Sequence, residues 1–148
     1  MEKKDACYCG LYCGNCPVKV KVEPASKVLY QEMENLGFEG IISFFPDGEK
    51  FWSFLKGMTT DGLCTSCKAG SGNPACKVRL CAQEKNIEMC ALCESYPCDY
   101  FTEFFQAYPT LKKDNSILQE QGWESWAKHQ DKRQLQGTGF AYTRKSNS

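Results

Sequence analysis

The distribution of cysteine constrains this chain more than any other feature. Cys7, Cys9, Cys13 and Cys16 open the sequence, and Cys64, Cys67, Cys76, Cys81, Cys90, Cys93 and Cys98 fall together within 64–98. No cysteine lies between these blocks or after Cys98. Eleven thiols cannot all pair within one chain. The opening residues, MEKKDACYCG, place no apolar run behind the lysines, as a secretory signal would. The expected location is therefore cytoplasmic, where thiols stay reduced and clustered cysteines read as metal ligands or redox groups.

Charge and hydropathy remove several function classes. The 148 residues carry 18 basic and 18 acidic side chains, spread evenly, and a single histidine. Phosphate contacts need clustered Lys and Arg, so nucleic acid is not the expected partner. No run of eighteen apolar residues exists, so no membrane span is expected. Apolar residues make up 42%, which excludes a wholly disordered chain. The length suits one domain, expected over 1–136, with a polar tail at 137–148.

The fold class expected is mainly α: several short helices with irregular cysteine-rich loops. Pro24 suits a first helical turn, with Leu29, Met33 and Leu36 following at helical spacing before Gly37. Asp47 can cap a second helix whose face is Phe51, Phe54, Leu55 and Met58. A third is expected from Pro74 to Glu84, and a fourth from Pro97 until Pro109 stops it. A last helix over 116–134 carries Trp123, Trp126 and Ala127. The run Val18-Lys19-Val20-Lys21-Val22 alternates as a strand would, yet Pro17 before it also permits a helix start. Phe51, Trp52, Phe54, Phe101, Phe104 and Phe105 have the spacing of core residues.

Three Cys-x2-Cys pairs, Cys13/Cys16, Cys64/Cys67 and Cys90/Cys93, carry the chemistry. Such a turn aims two thiolates at one ion, and its backbone N–H groups can bond the sulfurs. The expected metal ligands are Cys9, Cys13, Cys16, Cys64, Cys67, Cys76, Cys81, Cys90, Cys93 and Cys98. Tetrahedral zinc takes four thiolates, so this set serves about two ions. Several partitions are open. Cys64, Cys67, Cys90 and Cys93 form one quartet, and Cys64, Cys67, Cys76 and Cys81 a more local one. In the second, Cys76 and Cys81 reach one ion only if the helix starts after Cys76, because i and i+5 do not share a face. Cys9, Cys13 and Cys16 need a fourth donor, for which Cys98 is a candidate. Lys68, Lys77, Arg79 and Lys85 either offset the charge of such sites or are solvated surface.

The ordered elements resemble the domain-of-unknown-function 3795 family. They are Cys9-Gly10-Leu11-Tyr12-Cys13-Gly14-Asn15-Cys16-Pro17, Cys64-Thr65-Ser66-Cys67, Cys76-Lys77-Val78-Arg79-Leu80-Cys81-Ala82 and Cys90-Ala91-Leu92-Cys93-Glu94-Ser95-Tyr96-Pro97-Cys98. The resemblance covers about 7–106. It implies a metal-binding, mainly helical protein, and no reaction. Ser66 stands where the family has glycine, and Cys7 lies outside the matched elements.

Structural all-cysteine zinc that supports recognition of a protein partner is the leading expectation. Catalytic zinc keeps an open position and mixes in histidine or carboxylate, and His129 reads as a surface residue. No catalytic residue is expected, and the enzyme class stays uncertain, leaning against one. An iron–sulfur cluster for electron transfer is the alternative, since Cys9-x3-Cys13-x2-Cys16 has a cluster-binding spacing. A thiol–disulfide oxidoreductase at Cys13/Cys16 ranks below both, because no βαβ pattern precedes it.

Overall fold

Proline near a helix start loses no hydrogen bond, and here it marks the first long helix. The computed structural model describes residues 2–143. Among these the only β feature is an isolated antiparallel bridge between Ala6 and Tyr12, and the fold is mainly α. The Val18–Val22 run is a π-helical turn that feeds directly into α1 (Glu23–Asn35), so its helical reading holds over the strand reading. α2 (Gly48–Thr60) follows, then α3 (Lys77–Glu84), α4 (Thr102–Ala107), α5 (Leu111–Leu135) and α6 (Phe140–Thr143).

Residues 17–64 make one compact unit. Its core is Ile42, Trp52 and Leu55, with Tyr30, Met33, Phe38 and Met58 packed around them. Tyr30 of α1 stacks on Trp52 of α2 at 4.8 Å. That contact rotates both helices away from the expected faces. α1 presents Ser26, Tyr30 and Met33 rather than Leu29 and Leu36. On α2, Trp52 and Leu55 are buried whereas Phe51 and Phe54 are 44% and 61% exposed, which corrects their assignment to the core. The spacing of α2 groups Phe51, Phe54, Leu55 and Met58 on one face, and the Tyr30 stack turns the buried face toward Trp52 and Leu55. Asp47 holds the expected N-cap position but does not cap. It sits at φ 55°, and its carboxylate takes Lys50 Nζ at 2.8 Å instead. At the other end of the unit, Glu23 Oε1 accepts the Leu63 N–H at 2.9 Å, fixing the residue before Cys64.

Residues 1–16 and 65–148 make the other unit. α3 starts after Cys76, and Phe101 lies in a 3-10 turn (Asp99–Phe101) that leads into α4. Phe101 is fully buried, while Phe104 and Phe105 are half-buried beside it. α5 starts at Leu111, earlier than the expected 116, and is not one straight rod. Gly122 has φ 77° and ψ −178°, a conformation essentially reserved for glycine. Fifteen residues of straight helix span about 22 Å, yet His129 Nε2 lies 2.9 Å from Asp114 Oδ1. The chain therefore reverses at Gly122, and the two arms of α5 lie against each other. Arg133 closes the hairpin through Asp114 and also donates to the Thr138 carbonyl. His129 is thus a hairpin contact, not the surface residue expected. Trp126 is fully buried against Tyr12 (5.9 Å, edge-on) and Trp123 (5.0 Å). Part of the expected polar tail is structured: Thr138 N–H bonds the Arg133 carbonyl at 2.8 Å and α6 follows. Residues 144–148 lie outside the described residues.

Candidate functional site

The first group of thiols is built by a tight hairpin. Cys7 N–H donates to the Leu11 carbonyl at 2.8 Å, and Gly10 N–H donates to the Cys7 carbonyl at 3.0 Å. Gly10 turns the chain at φ 97°, and Asn115 packs where a Cβ would stand, so only glycine fits there. A 3-10 turn, Cys13–Asn15, follows and is closed by Cys16 N–H on the Cys13 carbonyl at 3.0 Å. The loop carrying Cys67 is tied to the N-terminal arm by Ser66. Its buried hydroxyl donates to the Lys4 carbonyl at 2.6 Å, a bond that glycine at this position could not make.

These restraints bring four sulfurs together. Cys7 Sγ lies 3.2 Å from Cys13 Sγ, and the thiols of Cys67 and Cys9 are close enough to act on it. Backbone N–H groups of Cys67, Leu11 and Tyr8 reach the sulfurs of Cys7, Cys9 and Cys67 respectively; these bonds lie outside the Cys-x2-Cys turns from which they were expected. Hydrogen bonds from Cys13 first, then Cys67 and Cys9, hold the Cys7 thiol far below its ordinary value. Bonding to Cys7 first, then burial, pushes Cys9 and Cys67 up, with Arg79 partly opposing the rise at Cys67.

The second group surrounds Cys90. Cys76 is the N-cap residue of α3 and Cys81 lies within it, which meets the condition for both to face one site. Burial first, then the nearby Cys81, Cys98, Cys93 and Cys76, pushes the Cys90 thiol up to about 12. Turns hold the loop: Cys93 N–H on the Cys90 carbonyl at 2.9 Å, Tyr96 N–H on the Cys93 carbonyl at 3.0 Å, and Phe101 N–H on the Cys98 carbonyl at 2.9 Å. A cavity of about 300 Å³ is walled by Cys81, Cys90, Cys93 and Cys98, with Tyr96 and Phe101 behind them.

The two groups share backbone. Cys90 N–H donates to the carbonyl of Tyr8, the residue between Cys7 and Cys9, at 2.7 Å. Asn115, fully buried on α5, donates from Nδ2 to the Cys9 carbonyl and to Tyr96 Oη, each at 2.9 Å. The α5 hairpin thus holds one loop of each group. Sequence reasoning missed both Asn115, which carries no spacing signal, and Cys7. The Cys7-x-Cys9 spacing was the available sign for the latter.

Nine cysteines fall into these groups. Cys67 joins the N-terminal hairpin, and Cys98 joins Cys90 rather than Cys9, Cys13 and Cys16. Cys16 and Cys64 are half-buried and stand where the chain passes between the two compact units. The thiols that act most strongly on Cys7 and Cys90 are the members of the two groups. As the side chains stand, no three Cys, His, Asp or Glu residues among those described form a ready ion site. The donor chemistry nevertheless fits a thiophilic ion, because each group offers at least four sulfurs. In tetrahedral zinc at about 2.3 Å per bond, the sulfurs stand about 3.8 Å apart. The 3.2 Å contact is tighter by a few tenths of an ångström, within reach of small side-chain rotations.

Among the described residues no helix is long and apolar enough to cross a membrane. No curated protein and no solved structure matches this chain. One protein family does, over residues 5–103, a span that takes in all eleven cysteines and more than half of the chain. The chain belongs to that family, the proteins of unknown function designated DUF3795.

Proposed function

We propose that this protein binds metal through its two cysteine groups, most simply as two structural zinc sites that shape a surface for a protein partner. The observation that carries the reading is the convergence of nine thiols, from segments far apart in sequence, into two groups. Buried cysteines acting only as small apolar side chains have no reason to gather this way. Zinc would supply the cross-link that these loops lack. Its binding is worth roughly 10–16 kcal/mol in small peptides, against about 5–15 kcal/mol for the stability of a whole domain. The chain's own residues orient the sulfurs: Ser66, Asn115 and the backbone N–H groups hold them from behind. The expected ligand set, from Cys9 to Cys98, stays within this proposal, with Cys16 and Cys64 as members that the two groups do not include.

An iron–sulfur cluster is favoured at the second group by one feature, the cavity of about 300 Å³ beside four of its thiols. A single zinc ion needs no such space, whereas a cluster does. Thiol titration before and after chelation tests the metal reading. The nine cysteines of the two groups should resist a thiol reagent in the protein as purified, and a strong chelator should release them together with a loss of helical signal. Full reactivity before chelation would refute it.

A further inference from the structure

We infer that Cys7 is a ligand of the first metal site, completing a donor set of Cys7, Cys9, Cys13 and Cys67. The inference rests on the metal-binding reading and specifies its first site. Cys7 is only 6% exposed, yet its buried sulfur is surrounded by three other sulfurs rather than by carbon alone. Its Sγ lies 3.2 Å from Cys13 Sγ. The thiols of Cys13, Cys67 and Cys9 all act on it.

Independent restraints put it there. Its N–H and carbonyl are both held by the 7–11 hairpin, at 2.8 and 3.0 Å. The Ser66–Lys4 bond of 2.6 Å docks the arm before it on the loop that carries Cys67. These bonds fix the Cys7 backbone, and from it the side chain reaches the Cys13 sulfur. The three donors on the N-terminal hairpin are then Cys7, Cys9 and Cys13, and Cys67 is the fourth. Each thiol passes its proton to solvent on binding, so four thiolates and one dication leave the site at about −2. Arg79, which faces Cys67, is the cation placed to offset it.

The test is metal stoichiometry by native mass spectrometry, with cobalt(II) as a coloured substitute for zinc. Wild-type protein should take up about two ions, and Cys7→Ser about one. Sulfur-to-cobalt charge-transfer intensity should fall accordingly. Cys7→His keeps a donor and should restore the second ion with a changed ligand-field spectrum. This second variant also covers the case in which Cys7→Ser fails to fold. Two ions in Cys7→Ser, or a Cys7→His spectrum identical to wild type, would overturn the assignment and leave the metal reading standing. No uptake by the wild type would overturn the metal reading itself.

Discussion

Arg133→Leu should unfasten the hairpin that positions both thiol groups. Arg133 and Asp114 have side chains only 8% and 4% exposed. Removing the guanidinium leaves the Asp114 carboxylate buried, and breaking such a pair costs about 3–5 kcal/mol. His129 keeps one hydrogen bond to Asp114 at 2.9 Å, which places the loss near the lower end, about 3 kcal/mol. For a chain of this length each kcal/mol moves the melting temperature by about 2–4 °C, so the midpoint should fall by roughly 6–12 °C. Circular dichroism on heating, with the metal content held equal, reads it. The double variant Asp114→Leu/Arg133→Leu removes both charges and should recover most of the loss. Zinc affinity should fall in Arg133→Leu as well, because Asn115 sits one residue after Asp114 and reaches Cys9 and Tyr96 only from the closed hairpin. An Arg133→Leu protein within about 0.5 kcal/mol of its parent, a typical surface effect, would refute the reasoning. So would a double variant no more stable than the single one.

Gly122→Ala should cost about 1–3 kcal/mol in denaturant unfolding, because its backbone conformation is open essentially to glycine alone; unchanged stability would mean the chain does not reverse there. Asn115→Ala strips the Cys9 carbonyl and the Tyr96 hydroxyl of a buried partner and should cost about 1–3 kcal/mol. The same variant should weaken zinc binding at both groups in a competitive chelator titration, and weakening at neither would count against the shared support. The Cys90 thiol, raised to about 12 by burial and its neighbours, holds its proton at neutral pH, so zinc must displace it. Binding then releases protons and tightens as pH rises from about 6 to 8. Calorimetry in buffers of different ionisation enthalpy measures the release, and a pH-independent affinity would contradict it.

Much of the helical frame was legible because its signals are local. Pro24, Gly37 and Pro109 act through their own backbone and mark ends within a few residues of where the helices stop. Faces were harder. α2 bears Phe51, Trp52, Phe54 and Leu55 in succession, and only the stacking of Tyr30 on Trp52 decides which of them is buried. The reversal at Gly122 was hidden because a glycine inside an otherwise helical pattern reads as tolerated. The contact between Asp114 and His129, fifteen residues apart, shows the reversal. The cysteine blocks announced the candidate site, but spacing cannot report which loops meet. Ser66 docking the N-terminal arm on the Cys67 loop is what joins Cys7 to a group whose other members are 2, 6 and 60 residues along the chain.

The most direct test is elemental analysis with an absorption spectrum, on tag-free protein purified without oxygen. The account predicts about two zinc ions per chain and no visible band. Protein that is folded, free of metal and fully reactive at its thiols would contradict the central claim. Iron with acid-labile sulfide and a brown colour would replace zinc by a cluster at the Cys90 group.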